Sequence, residues 1–133
     1  MFKKTITYKD YNGNERTEDF YFNLSKAELM EMEMSMAGGM EAMLQKIIAA
    51  QDTSKIIEMF KKIILKAYGE KSDDGKRFIK SPELSKAFSE TEAYSIFFVE
   101  LAQDAGKASE FINGIIPSGL KPKENTLNTN QEN

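Results

Sequence analysis

The chain of 133 residues contains no cysteine, no histidine and no tryptophan. Without cysteine it forms no disulfide bond and offers no thiolate to a metal ion, so it needs no oxidising compartment. Without histidine it lacks the commonest general base and the commonest metal ligand of proteins. An enzyme with this composition would depend on carboxylates, lysine, tyrosine or serine.

Long apolar segments are missing as well. No apolar run approaches the ~20 residues that span a bilayer. The first ten residues, MFKKTITYKD, lack the apolar core of a signal peptide. We therefore expect an intracellular protein that does not contact a membrane.

Neither sign of charge is in large excess, since 18 basic residues stand against 21 acidic residues. Nucleic-acid binders usually carry a concentrated basic surface, because contacts to phosphates dominate their affinity. This balance argues against nucleic-acid binding. A small regulator with a local basic surface stays open as the alternative.

The sequence predicts one α+β domain, mainly α, over residues 1–117. A short β-hairpin at residues 1–24 precedes a body of about four to five helices at residues 25–117. A hydrophobic content of 41% supplies enough apolar material for a modest core. Residues 118–133 have almost no apolar side chain and are predicted to be a disordered tail.

The hairpin is predicted from apolar and polar residues that alternate on both sides of the turn segment NGN. A two-residue loop in this segment would place Ile6 opposite Asp19. A three-residue loop at residues 12–14 places Ile6 opposite Phe20, and we predict this register because it brings two apolar side chains together.

Capping residues indicate where the helices begin. Ser25 and Glu28 have the spacing of a capping box, so the first helix should begin at about Lys26 and run to near residue 50, across a Gly-Gly pair at 38–39. An apolar stripe predicts a second helix that begins near Thr53 and stops at Gly69.

The patterns that predict the later helices and loops are shorter. Residues 70–77, EKSDDGKR, are predicted to be a polar loop, and Ser81 followed by a proline should start a short helix. Ser89 with Glu92 repeats the capping-box pattern for the next helix. A last short helix should end at Gly114.

Six of the eight methionines lie within residues 28–44, inside the predicted first helix. On a helical wheel, Met30 and Met34 lie off the centre of the main apolar stripe, one turn apart. The stripe itself has the width of a core-facing surface. Its members are Leu29, Met32, Met36, Met40, Met43, Leu44 and Ile47.

Methionine is flexible and polarizable, so it fits varied apolar partners. Met30 and Met34 could pack on the hairpin, on another subunit or on an external helix. We take Met30, Met34, Met36 and Met40 as candidate partner-binding residues, although burial in the core competes for the last two. The alternating methionines also permit a strand, but the capping box just upstream favours a helix.

No stretch carries a recognisable catalytic or metal-binding pattern. GEKSDDGK at residues 69–76 has five residues between its glycines, where a phosphate-binding loop needs four, and it lacks the following serine or threonine. Its aspartates also lack the alternating ligand pattern of a calcium loop. The sequence predicts no catalytic residue, no cofactor and no metal site.

Residues 80–117 contain several short pieces in a characteristic order: SPELS from Ser81, Phe88, TEAY from Thr91, EL at Glu100 and FINGIIP from Phe111. This stretch resembles the C-terminal half of tail assembly chaperones of tailed bacteriophages, of the siphophage type that infects Gram-positive hosts. The N-terminal plan, a hairpin followed by LSKAEL at the start of a helix, is similar too.

The resemblance implies a non-enzymatic role in the cytoplasm of the infected or lysogenic host. Proteins of this family coat the long helical tape measure protein before tail tube subunits polymerise around it, and they are not expected in the finished virion. Their partners would be the tape measure protein, the tail tube protein and possible further copies of the chain. Many members also occur in a longer, frameshifted form.

Overall fold

The computed structural model of the chain describes residues 1–35 and 53–117, without the side chains of residues 33–35, 53 and 56. Within these residues it has four strands and five helices, and the predicted α+β, mainly α class is confirmed. The elements are β1 (Phe2–Lys9), β2 (Glu15–Phe22), α1 (Lys26–Ser35), α2 (Thr53–Ala67), β3 (Tyr68–Lys71), β4 (Phe78–Ile79), α3 (Pro82–Ser89), α4 (Glu92–Gln103) and α5 (Ala105–Ile115).

Several predictions fall outside the described residues. Among them are the continuation of the first helix towards residue 50, the Gly-Gly pair at 38–39 and the C-terminal tail at 118–133.

The strands β1 and β2 form the predicted N-terminal hairpin, but the predicted register is wrong by two residues. Ile6 lies opposite Glu18, and Lys4 lies opposite Phe20. A shift of two residues keeps each side chain on its predicted side of the sheet, since side chains alternate with a period of two. Ile6 is accordingly buried.

Asp10 explains the observed register. Its carboxylate accepts hydrogen bonds from the backbone N–H groups of Asn12 and Asn14, each at 2.9 Å, and Asn14 O accepts a hydrogen bond from Asp10 N at 2.9 Å. Gly13 has a φ of +86°, a backbone conformation that favours glycine. The turn therefore closes between Asp10 and Asn14, earlier than the NGN segment alone suggests.

A second hairpin, β3–β4, occupies the segment that was predicted to be the end of a helix and a polar loop. β3 pairs with β2 through Tyr21↔Gly69 and Phe22↔Tyr68, so the sheet has the order β1-β2-β3-β4. The turn between β3 and β4 contains Gly75 with a φ of +75°. The prediction failed because β3 is stabilised by pairing with a distant strand, which helical periodicity does not reveal.

Aromatic rings form the centre of the core. Phe22 is fully buried, and its ring centroid lies 5.1–6.2 Å from five other rings. These rings come from β1, β3 and the helices α3, α4 and α5, so one side chain joins the sheet to three helices. They belong to Phe2, Tyr68, Phe88, Phe97 and Phe111.

The helix ends agree with the sequence in part. Ser81 caps α3 as predicted, accepting a hydrogen bond from the backbone N–H of Leu84. The prediction that Ser89 caps the next helix is wrong, because Thr91 takes that position. Gly114 does not end α5. A Cβ atom at this glycine would lie 2.7 Å from a ring carbon of Phe2, so its lack of a side chain allows α5 to pack closely on β1.

In the part of the chain that the structure describes, no helix combines the length and apolarity needed to cross a membrane.

Candidate partner-binding surface

The predicted capping box starts α1. The backbone N–H of Ser25 donates to Glu28 Oε1 at 2.8 Å, and the backbone N–H of Glu28 donates to Ser25 Oγ at 3.1 Å. Leu24, before the cap, is fully buried, and Leu29 packs against the core. The reciprocal bonds satisfy donors that the first helical turn otherwise leaves unpaired.

The first turns of α1 separate the methionines as the helical wheel predicted. Met32 is buried with 7% of its surface exposed, whereas Met30 is exposed to 68%. Met34 lies in α1 one turn beyond Met30, but its side chain is outside the described part, and Met36 and Met40 lie wholly outside it. Of the four candidate residues, the structure therefore places one side chain, that of Met30, at the surface.

An ion pair ties α1 to the linker between β4 and α3. Lys80 Nζ lies 2.9 and 2.8 Å from the two carboxylate oxygens of Glu28 and 2.7 Å from Asn23 O. Burial lowers the pKa of Lys80. Burial alone would raise the pKa of Glu28, but Lys80 and the cap residue Ser25 outweigh it, and the net pKa is lowered.

A second apolar surface lies on α4 and was missed by the sequence analysis. Ile96 is exposed to 40% and Val99 to 45%, while Phe97 and Leu101 on the same helix are buried. We call Ile96 and Val99 the α4 patch. The sequence run SIFFVELA could have indicated this second surface. It contains more apolar residues than one buried side of a helix can hold, so some of them must be exposed.

An open cleft of about 480 Å³ lies where β3 separates from β2, lined by residues 18–21 and 68–71. Two of its three carboxylates are already engaged: Glu18 accepts a hydrogen bond from Tyr8 at 2.6 Å, and Asp19 accepts one from Thr5 at 2.6 Å. The Glu18 carboxylate raises the pKa of Tyr8 to about 12.

In the described ranges, 1–35 and 53–117, no group of three acidic side chains could hold a metal ion.

Several carboxylates have a lowered pKa. Lys107 and Lys4 hold that of Glu100 low, with Lys107 the larger cause. Arg16 does the same for Asp10.

The lowered carboxyl pKa values predict loss of stability in acid. A carboxyl whose folded pKa is below its ordinary value stabilises the fold above that value, and this contribution is lost as the pH falls through the folded pKa. The ordinary value for Glu28 and Glu100 is 4.5, so the melting temperature should be constant near neutrality and fall below pH 4.5. Circular dichroism melts between pH 7 and pH 3 measure this.

Two matched variants test whether Glu100 contributes to this loss of stability in acid. Glu100→Gln should flatten the fall of the melting temperature below pH 4.5, because it removes one of the linked protonations. Glu58→Gln, on the exposed surface of α2, should leave the curve as in the wild type. Equal curves for all three proteins would contradict the assignment.

The comparisons with known proteins agree with the resemblance found at residues 80–117 and extend it to the N-terminal part. A family model described as phage tail assembly chaperone matches residues 1–133. Searches of curated proteins and of solved structures found no match. The family match favours an assembly role over the alternative of a nucleic-acid-binding regulator. The chain belongs to the phage tail assembly chaperones.

Proposed function

We propose that this protein binds the tape measure protein through the outer side of α1, keeps its apolar helical segments soluble, and helps to recruit tail tube subunits. The role is non-catalytic and belongs to the host cytoplasm, before the virion is complete. The observation that carries the proposal is the exposure of Met30, at 68%, on a helix whose opposite side is anchored to the core.

The chemistry of such a surface suits the partner. A long helical protein that waits for its tube exposes apolar stripes, which aggregate unless they are covered. A helix laid on an apolar surface is a common mode of protein recognition. Methionine side chains adapt to neighbouring segments that differ in shape, so one chaperone can cover many non-identical turns.

Weak binding by each copy is compatible with this role. Several chaperones on one partner gain from multivalency, and each copy still dissociates fast enough for tube subunits to replace it. Further copies could also join through β1, which is the first strand in the sheet order. Lysines on this strand disfavour uncontrolled pairing at its edge. Light scattering of the purified protein measures the oligomeric state.

Co-expression with the tape measure protein, followed by pull-down and a solubility assay, tests the proposal. Replacing Met30 and Met34 together by alanine should reduce the retained tape measure protein about tenfold, which corresponds to the loss of one modest binding hot spot. The melting temperature of the single variant Met30→Ala should stay unchanged, because Met30 is exposed. Adding the tube subunit to the same pull-down tests recruitment.

Two control variants decide which surface binds. The double variant Ile96→Ala, Val99→Ala removes exposed apolar surface from the α4 patch instead and should bind as the wild type. Met32→Ala should lower the melting temperature, since Met32 is buried. A wild type that neither binds nor solubilises the tape measure protein contradicts the function. Loss of binding only in the α4 variant moves the site to α4.

A further inference from the structure

Two sets of contacts attach α1 to the rest of the protein: one fixes where the helix starts, and the other fixes its direction. Its base, the linker between β2 and α1, is held by backbone hydrogen bonds: Asn23 N donates to Ala67 O at 2.8 Å, and Leu24 N donates to Ile115 O at 2.9 Å. These bonds fix where the helix starts. They do not fix the direction in which it leaves, because each lies before the first helical turn.

Among the α1 side chains that the structure describes, three hold that direction from the inward side. Leu29 and Met32 pack on the core, and Glu28 binds Lys80. Positions 28 and 32 are one turn apart on one side of the helix, while position 30 lies on the opposite side. A rotation or tilt of α1 about its base would therefore break the contact between Glu28 and Lys80 and would move Met30 at the same time.

Lys80 is placed to prevent that motion. Its amine contacts the base at Asn23 O and the helix at both Glu28 oxygens, so it bridges the base and the first turn of the helix. It comes from the linker between β4 and α3, 52 residues away from Glu28, and only 21% of its side-chain surface is exposed. Partial burial makes the pair less screened by solvent than the exposed ion pair of Lys86 and Glu90.

We propose that Lys80 is a positioning residue that locks the direction of α1 and so holds the methionine-bearing side of this helix at a fixed orientation to the body. The lock is a property of the free protein. Its consequence for partner binding rests on the proposed function.

Distance measurement between two spin labels tests the lock directly. Because the chain has no cysteine, labels at Met30→Cys on α1 and Gln103→Cys on α4 attach only there. We expect a narrow distance distribution in the otherwise unchanged protein. With Lys80→Met, which keeps most of the side-chain volume but removes the amine, the distribution should broaden about twofold as α1 samples other directions.

Lys86→Met is the matched control. It makes the same chemical change in an ion pair whose lysine side chain is 75% exposed, and it should leave the distance distribution as it was. If Lys80→Met lowers the melting temperature but leaves the distribution as narrow as in the parent, the ion pair only stabilises the fold and the proposal is overturned.

A milder variant covers the case in which Lys80→Met does not fold. Glu28→Gln removes the charge of the pair, yet a glutamine at this position still completes a capping box. The same broadening in this variant supports the lock, and an unchanged distribution overturns it. The experiment needs no partner, so failure to bind the tape measure protein rejects the proposed function while the spin-label distances still decide the role of Lys80.

Discussion

Replacing Phe22 by alanine is expected to lower the free energy of unfolding by about 3–5 kcal/mol, the usual cost of removing a buried phenylalanine. Its ring is fully buried and contacts rings from β1, β3 and three helices. Those neighbours come from elements that cannot all move inward at once, so a cavity should remain. For a chain of this size the melting temperature should fall by roughly 10–20 °C.

A second aromatic residue supplies the control for this experiment. Tyr11, in the β1–β2 turn, is exposed to 79%, and Tyr11→Ala should change the free energy of unfolding by less than about 0.5 kcal/mol. Urea unfolding followed by circular dichroism measures both variants. A loss for Phe22→Ala no larger than that for Tyr11→Ala would mean that the aromatic cluster is not the centre of the core.

Replacing Gly69 by alanine should cost about 2–3 kcal/mol, although it adds only one methyl group to a strand. A Cβ atom here would lie 2.7 Å from a ring carbon of Phe78 and 2.8 Å from the backbone oxygen of Ile79. A side chain can rotate away, but the backbone oxygen belongs to the paired strand β4, so the whole hairpin must shift. Pairing of Gly69 with Tyr21 on β2 resists that shift.

The same substitution at a second glycine should not destabilise the protein. At Gly106, near the start of α5, a Cβ atom would meet only an oxygen of Asp104 at 3.3 Å. Alanine is about 1 kcal/mol better than glycine within a helix, so Gly106→Ala should be neutral or stabilising. Thermal and urea unfolding of the two variants compare them. Equal stability of both variants would show that the space beside Gly69 is not limiting.

Much of the candidate surface could be predicted from short-range patterns. Ser25 and Glu28 are three residues apart, and this spacing is sufficient to place the start of α1. The positions of Met30 and Met32 on a helical wheel predicted which would be exposed and which buried. Both inferences depend only on the geometry of one helix, which is the same in every fold. That Met30 and Met34 bind a partner stays a prediction.

Other features of the surface could not be predicted in this way. The ion pair between Lys80 and Glu28 joins residues 52 positions apart. No sequence pattern near either residue predicts it. The run SIFFVELA indicates that some apolar side chains of α4 are exposed, but which of them form the α4 patch depends on the side of α4 that the sheet and the other helices cover. These facts require the path of the chain in space, because they are set by neighbours distant in sequence.

The sequence by itself determined the class of the fold, the N-terminal hairpin, the starts of α1 and α3, and the resemblance to the tail assembly chaperones. Each of these depends on signals within a few residues or on short pieces in a fixed order. The tertiary structure alone decided the addition of β3 and β4 to the sheet, the ring cluster around Phe22 and the anchoring of α1 by Lys80. The reason is physical: strand pairing and core packing obtain their free energy from contacts between distant segments, whereas caps and helical periodicity obtain theirs locally.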